Sequence, residues 1–330
     1  MTPMLDVFVE LGRRFEAFGK DDCTAQIVAH AASENEWFSE SDILMAVDAI
    51  RQEYLSREKL ERWLAQYDML TPKADLTHRR VAIVMAGNIP LVGFFDLMCV
   101  LLCGHAAYLK PSHKDKVLTD YVVAQLRSIA PDIAVYEYSP SGEVDMVIAT
   151  GGDAAATHFR MLYPNCPTLI RGSRHSVAVL DGAEREAEIE ALHRDIFSYN
   201  GLGCRNVSLI FMPRGCRILL HQPAQLNPMY KGNYLSQRAL MLMQGVEFDD
   251  LGFCTMRCRA EYSDAISCIN YAYYDDIAEV QQWLNERDSS LQCVVSNVAC
   301  HPRVVPFGRA QYPSLDDYAD GVDVIEFLTR

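Results

Sequence analysis

The stretch "YNGLGCR", residues 199–205, places one of the chain's eleven cysteines behind a glycine and ahead of an arginine. Glycines at 201 and 203 predict a tight, non-helical turn that presents the Cys204 thiol and its backbone N–H together. Arg205 could hold a thiolate there, which is what makes a cysteine nucleophilic. The competing assignment is a small apolar filler, the reading that suits the other ten cysteines. Three further places carry candidate chemistry. Asn88 follows Gly87, and a carboxamide in that position can donate to a developing oxyanion or simply cap a turn. Lys110 precedes Pro111-Ser112; its ammonium can reach sugar hydroxyls or a phosphate, although a solvated lysine at a loop start is the simpler reading. Thr150-Gly151-Gly152-Asp153 joins a strand-like run to a helix-like one. Glycines there admit a pyrophosphate to the helix N-terminus, but the turn is not G-x-G-x-x-G, and two-glycine turns without a ligand are common.

The elements that must position these residues alternate. The first seventy-odd residues read as helices. "FSESDILMAVDAIRQEYL" opens with Ser39 and Asp42 at capping-box-like spacing, and "SREKLERWLAQYDML" has Ser56 as its expected N-cap. From about residue 80, "RRVAIV", "AAYLK", "IAVYEY" and "DMVIAT" read as strands. The apolar segment 91–104, a helix from Lys114 to about Ala130 and "DAAATHFRML" read as helices. "HSVAVLDG" closes this unit near residue 182. After it come an acidic helix, "RNVSLIFMP" as a strand, a helix after Pro228, a strand and helix in "SCINYAYYDDIAEVQQWLNE", and "LQCVVSN" as a strand. Strands alternating with helices predict parallel, doubly wound sheets. Ligands in such sheets sit beyond the carboxyl ends of the strands, where Asn88, Lys110, Ser112 and Thr150 fall. The expected division is a helical lead over 1–75, a nucleotide-binding domain over 76–182, a catalytic domain over 183–304 and a tail over 305–330.

Bulk properties narrow the class. A chain of 330 residues that is 50% hydrophobic has material for about two cores. A formal charge of -14 disfavours nucleic-acid and anionic-membrane partners, which need a basic face. No basic region followed by an apolar run opens the chain, and the most apolar stretch, 91–104, is too short to span a bilayer. Eleven cysteines without such a leader fit a reducing cytoplasm. "CTMRC", with Cys254 and Cys258, is a close cysteine pair, and no second pair follows it to complete a zinc spacing. No metal is therefore expected.

Taken in order, these segments resemble the aldehyde dehydrogenase superfamily. "VAIVMAGNIPLVGFFDLMCVLLCGHAAYLKPS" carries its N-x-P and K-P-S, "ATGGD" its nucleotide turn, and "YNGLGC" its N-x-G-x-x-C catalytic loop. "AGNIPL", "TLIRGSRHSVAVL" and "VVPFGRAQYPSLDDYADGVDVIEFL" are most similar to the acyl-CoA reductases of the LuxC type. The resemblance spans about residues 80–330. It implies an aldehyde-dehydrogenase-like fold of two doubly wound α/β domains with a helical lead, and a nicotinamide cofactor, NADPH or NADH. It also implies roles: Asn88 and the Cys204 N–H as the oxyanion hole, Lys110 with Ser112 at the adenosine ribose or its 2′-phosphate, and Thr150, Gly151 and Gly152 at the pyrophosphate. Where aldehyde oxidisers carry E-L-G-G-K, this chain has Arg171-Gly172-Ser173-Arg174-His175. A reductase needs no base for water attack, and the two arginines suit an anionic ligand or ordinary surface charge. The late E-x-F-G-P motif of the superfamily has no clear counterpart. His175 and His193 are the histidines nearest the catalytic loop in sequence, without spacing that supports a role.

The expected function is reduction of an acyl-CoA or related thioester to an aldehyde through a Cys204 acyl-enzyme. An aldehyde dehydrogenase, an acyl-phosphate reductase and a catalytically silent binding protein of the same fold are the alternatives. The superfamily's dimers and tetramers suggest a homo-oligomer.

Overall fold

Apolar residues at helical intervals fold the leading segment into α1 (Pro3–Phe15), α2 (Asp22–Glu34), α3 (Glu40–Tyr54) and α4 (Arg57–Ala65). Ser39 is the N-cap of α3, its hydroxyl accepting from the Asp42 N–H at 3.0 Å. Ser56 occupies the N-cap of α4 without a side-chain capping bond. The structure, a computed structural model, describes residues 3–67, 78–151, 153–164, 166–263 and 265–330. The chain divides into two units, residues 1–173 with 313–330, and residues 174–312.

In the first unit the helices are followed by β1 (Arg80–Val84), α5 (Phe94–Leu102), β2 (Ala106–Lys110), α6 (Lys116–Ile129), β3 (Val135–Glu137), β4 (Met146–Thr150), α7 (Asp153–Leu162) and β5 (Thr168–Arg171). The five strands are parallel, in the order β3-β2-β1-β4-β5. Successive side chains leave a strand on opposite faces. Val81 and Ile83 accordingly join a large core with Leu5, Phe8, Trp63, Met98 and Leu126. Ala82 and Val84 join a smaller one with Val147, Ala149 and Phe159. The apolar run 91–104 becomes α5, with eight of its nine residues buried. Both faces of the sheet are covered, which is why its strands read as continuous apolar runs. β5 is the strand that apolar patterning alone does not reveal. Its inward positions are Leu169 and Arg171, and a charge at an interior position breaks the pattern.

The second unit contains β6 (His175–Val179), α8 (Glu186–Phe197), β7 (Val207–Pro213), α9 (Pro228–Gln244), β8 (Asp249–Asp250), β9 (Thr255–Cys258), β10 (Cys268–Tyr274), α10 (Ile277–Glu286), β11 (Leu291–Ser296) and β12 (Val304–Val305). They form one sheet, ordered β12-β11-β6-β7-β10-β9-β8. All pairings are parallel except β8 with β9. β6 lies inside this sheet, between β11 and β7, rather than closing the first unit at residue 182. Val177 and Val179 enter the core on one face and Ala178 the core on the other, and the buried backbone N–H and C=O groups of such a strand need a ladder on each edge, which β11 and β7 supply. Cys254 and Cys258 border β9, one buried and one exposed. Four residues of extended strand separate them by about 13 Å, too far to share one ion.

Residues 313–330 return to the first unit. There Leu315 and, on α11 (Val324–Thr329), Val324, Ile325 and Leu328 are buried in the core that also holds α1 and α5. Trp63 Nε1 donates to Tyr318 Oη at 2.8 Å and Tyr67 Oη to Asp323 Oδ2 at 2.5 Å. No described helix is long and apolar enough to cross a membrane.

Candidate active site

Beyond α8 the chain passes through a short 3₁₀ turn, Ser198–Gly201, toward Cys204. Tyr199 (φ 53°, ψ 28°) and Asn200 (φ 57°, ψ 27°) are left-handed, and Gly201 follows at φ 73°. The conformation costs about 1 kcal/mol for each non-glycine residue, so neighbours must enforce it. A Cβ at Gly201 would stand 3.3 Å from the Ile266 carbonyl oxygen.

The enforcing residue is Asn206, which is buried. Its Nδ2 lies 3.2, 3.1 and 2.8 Å from the carbonyl oxygens of Asp195, Ile196 and Ser198. These are carbonyls at the C-terminus of α8, where intrahelical donors run out. Its Oδ1 accepts from the Gly203 N–H at 2.8 Å. One side chain thus closes the helix and fixes the glycine before Cys204. From the sheet side, Ser176 Oγ on β6 donates to the Cys204 carbonyl oxygen at 2.9 Å and lies 3.2 Å from the Cys293 N–H. The Cys204 backbone is held while the residue stays exposed. Asp195, one turn back on α8, accepts from Gly308 N at 2.6 Å and Ala310 N at 3.0 Å; burial pushes its carboxyl up to about 6. Asn206, Ser176 and Asp195 escape the sequence reading. The one available signal is that Asn206 lies two residues beyond Cys204, where a strand has already begun to read.

In the first unit, Asn88 is exposed on the loop between β1 and α5. Met85 N donates to the Lys110 carbonyl at 3.0 Å. Asn35 Nδ2 approaches the carbonyls of Gly87 and Lys114, at 3.5 and 3.3 Å. Leu91, left-handed at φ 54°, donates its N–H to Asp115 Oδ2 at 2.9 Å. Burial pushes the Asp115 carboxyl up to about 8, and its Oδ1 has no hydrogen-bond partner. Gly87 is packed on Ser112: a Cβ there would lie 2.5 Å from Ser112 Oγ. That hydroxyl also accepts from Lys114 N at 3.3 Å, capping the turn His113–Asp115.

The structure therefore gathers Asn88, Lys110 and Ser112 at the carboxyl ends of β1 and β2, with Thr150 and Gly151 ending the adjacent β4. Lys110 is exposed, with Nζ 5.6 Å above the Phe159 ring of α7. Gly152 lies outside the described residues. Cys204 belongs to the second unit.

The basic stretch behaves differently from either expectation. Arg171 is buried and forms a two-pronged ion pair with Asp96 on α5, Nη1–Oδ2 2.6 Å and Nη2–Oδ1 2.9 Å. Its Nη1 also lies 3.5 Å from Thr150 Oγ1. Arg174 Nη1 donates to the Leu291 carbonyl at 3.0 Å. Both guanidinium groups fasten structure: Arg171 is already neutralised inside the first unit, and Arg174 is tied to a strand. His175 stacks on Tyr262 and His193 on His221.

Solved structures share this fold. A putative aldehyde dehydrogenase from Burkholderia cenocepacia is similar with a TM-score of 0.65 and 13% identity, over 91% of this chain and 75% of that one. The aldehyde dehydrogenase of Bacillus cereus, solved as its NAD+ complex, gives 0.62 and 13%, over 90% and 72%. Betaine aldehyde dehydrogenase of Staphylococcus aureus, also with NAD+, gives 0.61 and 12%, over 92% and 76%. At such identities the likeness speaks for the fold, which is that of the aldehyde dehydrogenases. No curated protein matches the chain. The profile of the acyl-CoA reductase (LuxC) family matches residues 34–225, a span that takes in Asn88, Lys110, the Thr150 turn and Cys204. The chain belongs to the LuxC acyl-CoA reductase family.

Proposed function

We propose that the protein reduces a fatty acyl-CoA to the aldehyde with NADPH or NADH, through a thioester on Cys204. The observation that carries this reading is an exposed cysteine just beyond a strained turn, its backbone clamped by Asn206 and Ser176. A nucleophile must be reachable and also fixed in position, because misplacement by about 1 Å costs on the order of 100-fold in rate.

The Cys204 thiolate adds to the thioester carbonyl, and the carbonyl electrons move onto oxygen. Asn88 and the Cys204 N–H are assigned as donors to that oxyanion, after the pattern of the family. When the carbonyl re-forms, the bond to coenzyme A breaks and its thiolate leaves. A nicotinamide held by the first unit's residues would supply the hydride needed to take the acyl group to the aldehyde level. Cys204 then departs as thiolate as its carbon–sulfur bond breaks, which frees the aldehyde and restores the nucleophile.

The first unit suits such a cofactor. The exposed Lys110 ammonium and the Thr150-Gly151 turn lie at the carboxyl ends of β2 and β4, the two strands that flank β1 in a 3-2-1-4-5 sheet, the end at which dinucleotides bind in doubly wound folds. Lys110 and Ser112 would hold the adenosine ribose or its 2′-phosphate, and Thr150, Gly151 and Gly152 the pyrophosphate. Aldehyde oxidation is the less favoured reading. Arg171, where oxidisers carry a glutamate, is buried on Asp96, and no water-activating base replaces it there. The eleven cysteines fit a cytoplasmic setting.

The test mixes the purified protein with acyl-CoAs of graded chain length and NADPH or NADH. Loss of nicotinamide absorbance and release of free thiol are followed together. Turnover is expected, with C204A inactive and C258A, an exposed cysteine elsewhere in the second unit, active. No turnover at any chain length with either nucleotide, or full activity in C204A, overturns the proposal.

A further inference from the structure

Glu190 and His193 occupy positions i and i+3 of α8, and His221 lies on the segment after β7. One ligand atom from each falls within 4.8 Å of the others. We propose that these three residues form a binding site for a zinc-class divalent transition ion, independent of the reaction at Cys204.

The donor set is two imidazoles and one carboxylate, which suits zinc and its neighbours rather than calcium or magnesium. The pair His221 Nε2 and Glu190 Oε2 stands 3.2 Å apart. Two ligands on one tetrahedral zinc, each about 2.05 Å from it, are separated by about 3.3 Å, so these two donors stand near ligand spacing before any ring turns. His193 is buried, and its Nε2 faces the His221 carbonyl oxygen. A carbonyl only accepts, so Nε2 carries the proton and the lone pair is left on Nδ1. An outer hydrogen bond of this kind orients most metal-bound imidazoles. The rings of His193 and His221 are stacked, with centroids 4.1 Å apart and planes 4° from parallel. Lone pairs in parallel planes do not converge, so binding requires one ring to turn. His221 is the ring that can do so, because its side chain is 59% exposed. Three protein ligands leave a fourth position to water. Sequence spacing does not disclose the set, since two members lie on a helix and the third is separated from them by a strand.

An ion here would join the segment after β7 to α8, the helix whose far end Asn206 closes. The experiment uses the full chain, stripped by a chelator and treated with iodoacetamide so that cysteines do not compete for metal. Zn2+ is titrated calorimetrically, with Co2+ as a spectroscopic probe whose visible bands report tetrahedral coordination. Wild type is expected to bind one Zn2+, to give those bands and to melt at a higher temperature with metal. H221A and E190Q change exposed side chains, and each should bind at least tenfold more weakly and lose the Co2+ bands while keeping the wild-type circular dichroism without metal. Absence of binding in wild type, or equal binding in H221A and E190Q, overturns the proposal. Activity with acyl-CoA is not among the readouts, so failure here is distinct from failure of the reductase reading.

Discussion

Replacing Asn206 with alanine should cost the second unit more than any other small substitution near Cys204. The Asn206 amide nitrogen has two protons shared among three carbonyls, and its oxygen holds the Gly203 N–H. N206A therefore removes about three hydrogen bonds, each worth about 1 kcal/mol net, and leaves the buried partners to find water or go unpaired. The expected destabilisation is about 3–5 kcal/mol, the lower value applying if water enters the vacated space. N206D should be worse than N206A, because a carboxylate would face the three carbonyls. Urea unfolding measures the loss, and hydrogen exchange localises it: the Gly203 amide, held by Asn206 in wild type, should exchange faster in both variants. Reductase turnover should fall on the order of 100-fold as Cys204 loses its fixed position. If N206A unfolds within 1 kcal/mol of wild type and Gly203 exchanges at the wild-type rate, Asn206 does not hold the Cys204 turn.

Asp115 should make stability depend on pH. Its carboxyl titrates at about 8 in the fold and near 3.9 in an unfolded chain, so its stabilising share is full below about pH 4 and lost as pH rises through about 8. Between pH 5.5 and 8, wild type should lose up to about 3 kcal/mol more than D115N in urea unfolding. G87A should cost about 1–3 kcal/mol by driving a methyl into Ser112, and a G87A/S112G double variant should recover part of it in a double-mutant cycle. R171M should cost about 3–5 kcal/mol because it leaves the Asp96 carboxylate buried without its partner, whereas R171M/D96L should regain most of that. Full stability in R171M would return Arg171 to the list of ligand-binding cations.

Strand and helix order was legible because both sheets are covered on two faces, so their strands announce themselves as apolar runs. The Cys204 turn was legible through its glycines. What stayed hidden depends on contacts distant in sequence. Arg171 reads as surface charge until Asp96, 75 positions earlier, is seen beside it. Asn206 reads as the start of a strand until its amide is found closing α8. β6 reads as the end of the first unit because periodicity tells that a strand exists but not which sheet receives it.

The return of residues 313–330 to the first unit has a consequence in time. A chain made from its N-terminus presents α5 and the helical lead long before Leu315, Val324, Ile325 and Leu328 exist. Through that interval the apolar surface they will cover stands open to water and to other nascent chains. Residues 174–312, in contrast, form a continuous stretch and can close as soon as they emerge, since domains tend to fold as units during synthesis. The unit begun first is thus finished last, and the interval between is when a chaperone has most to protect.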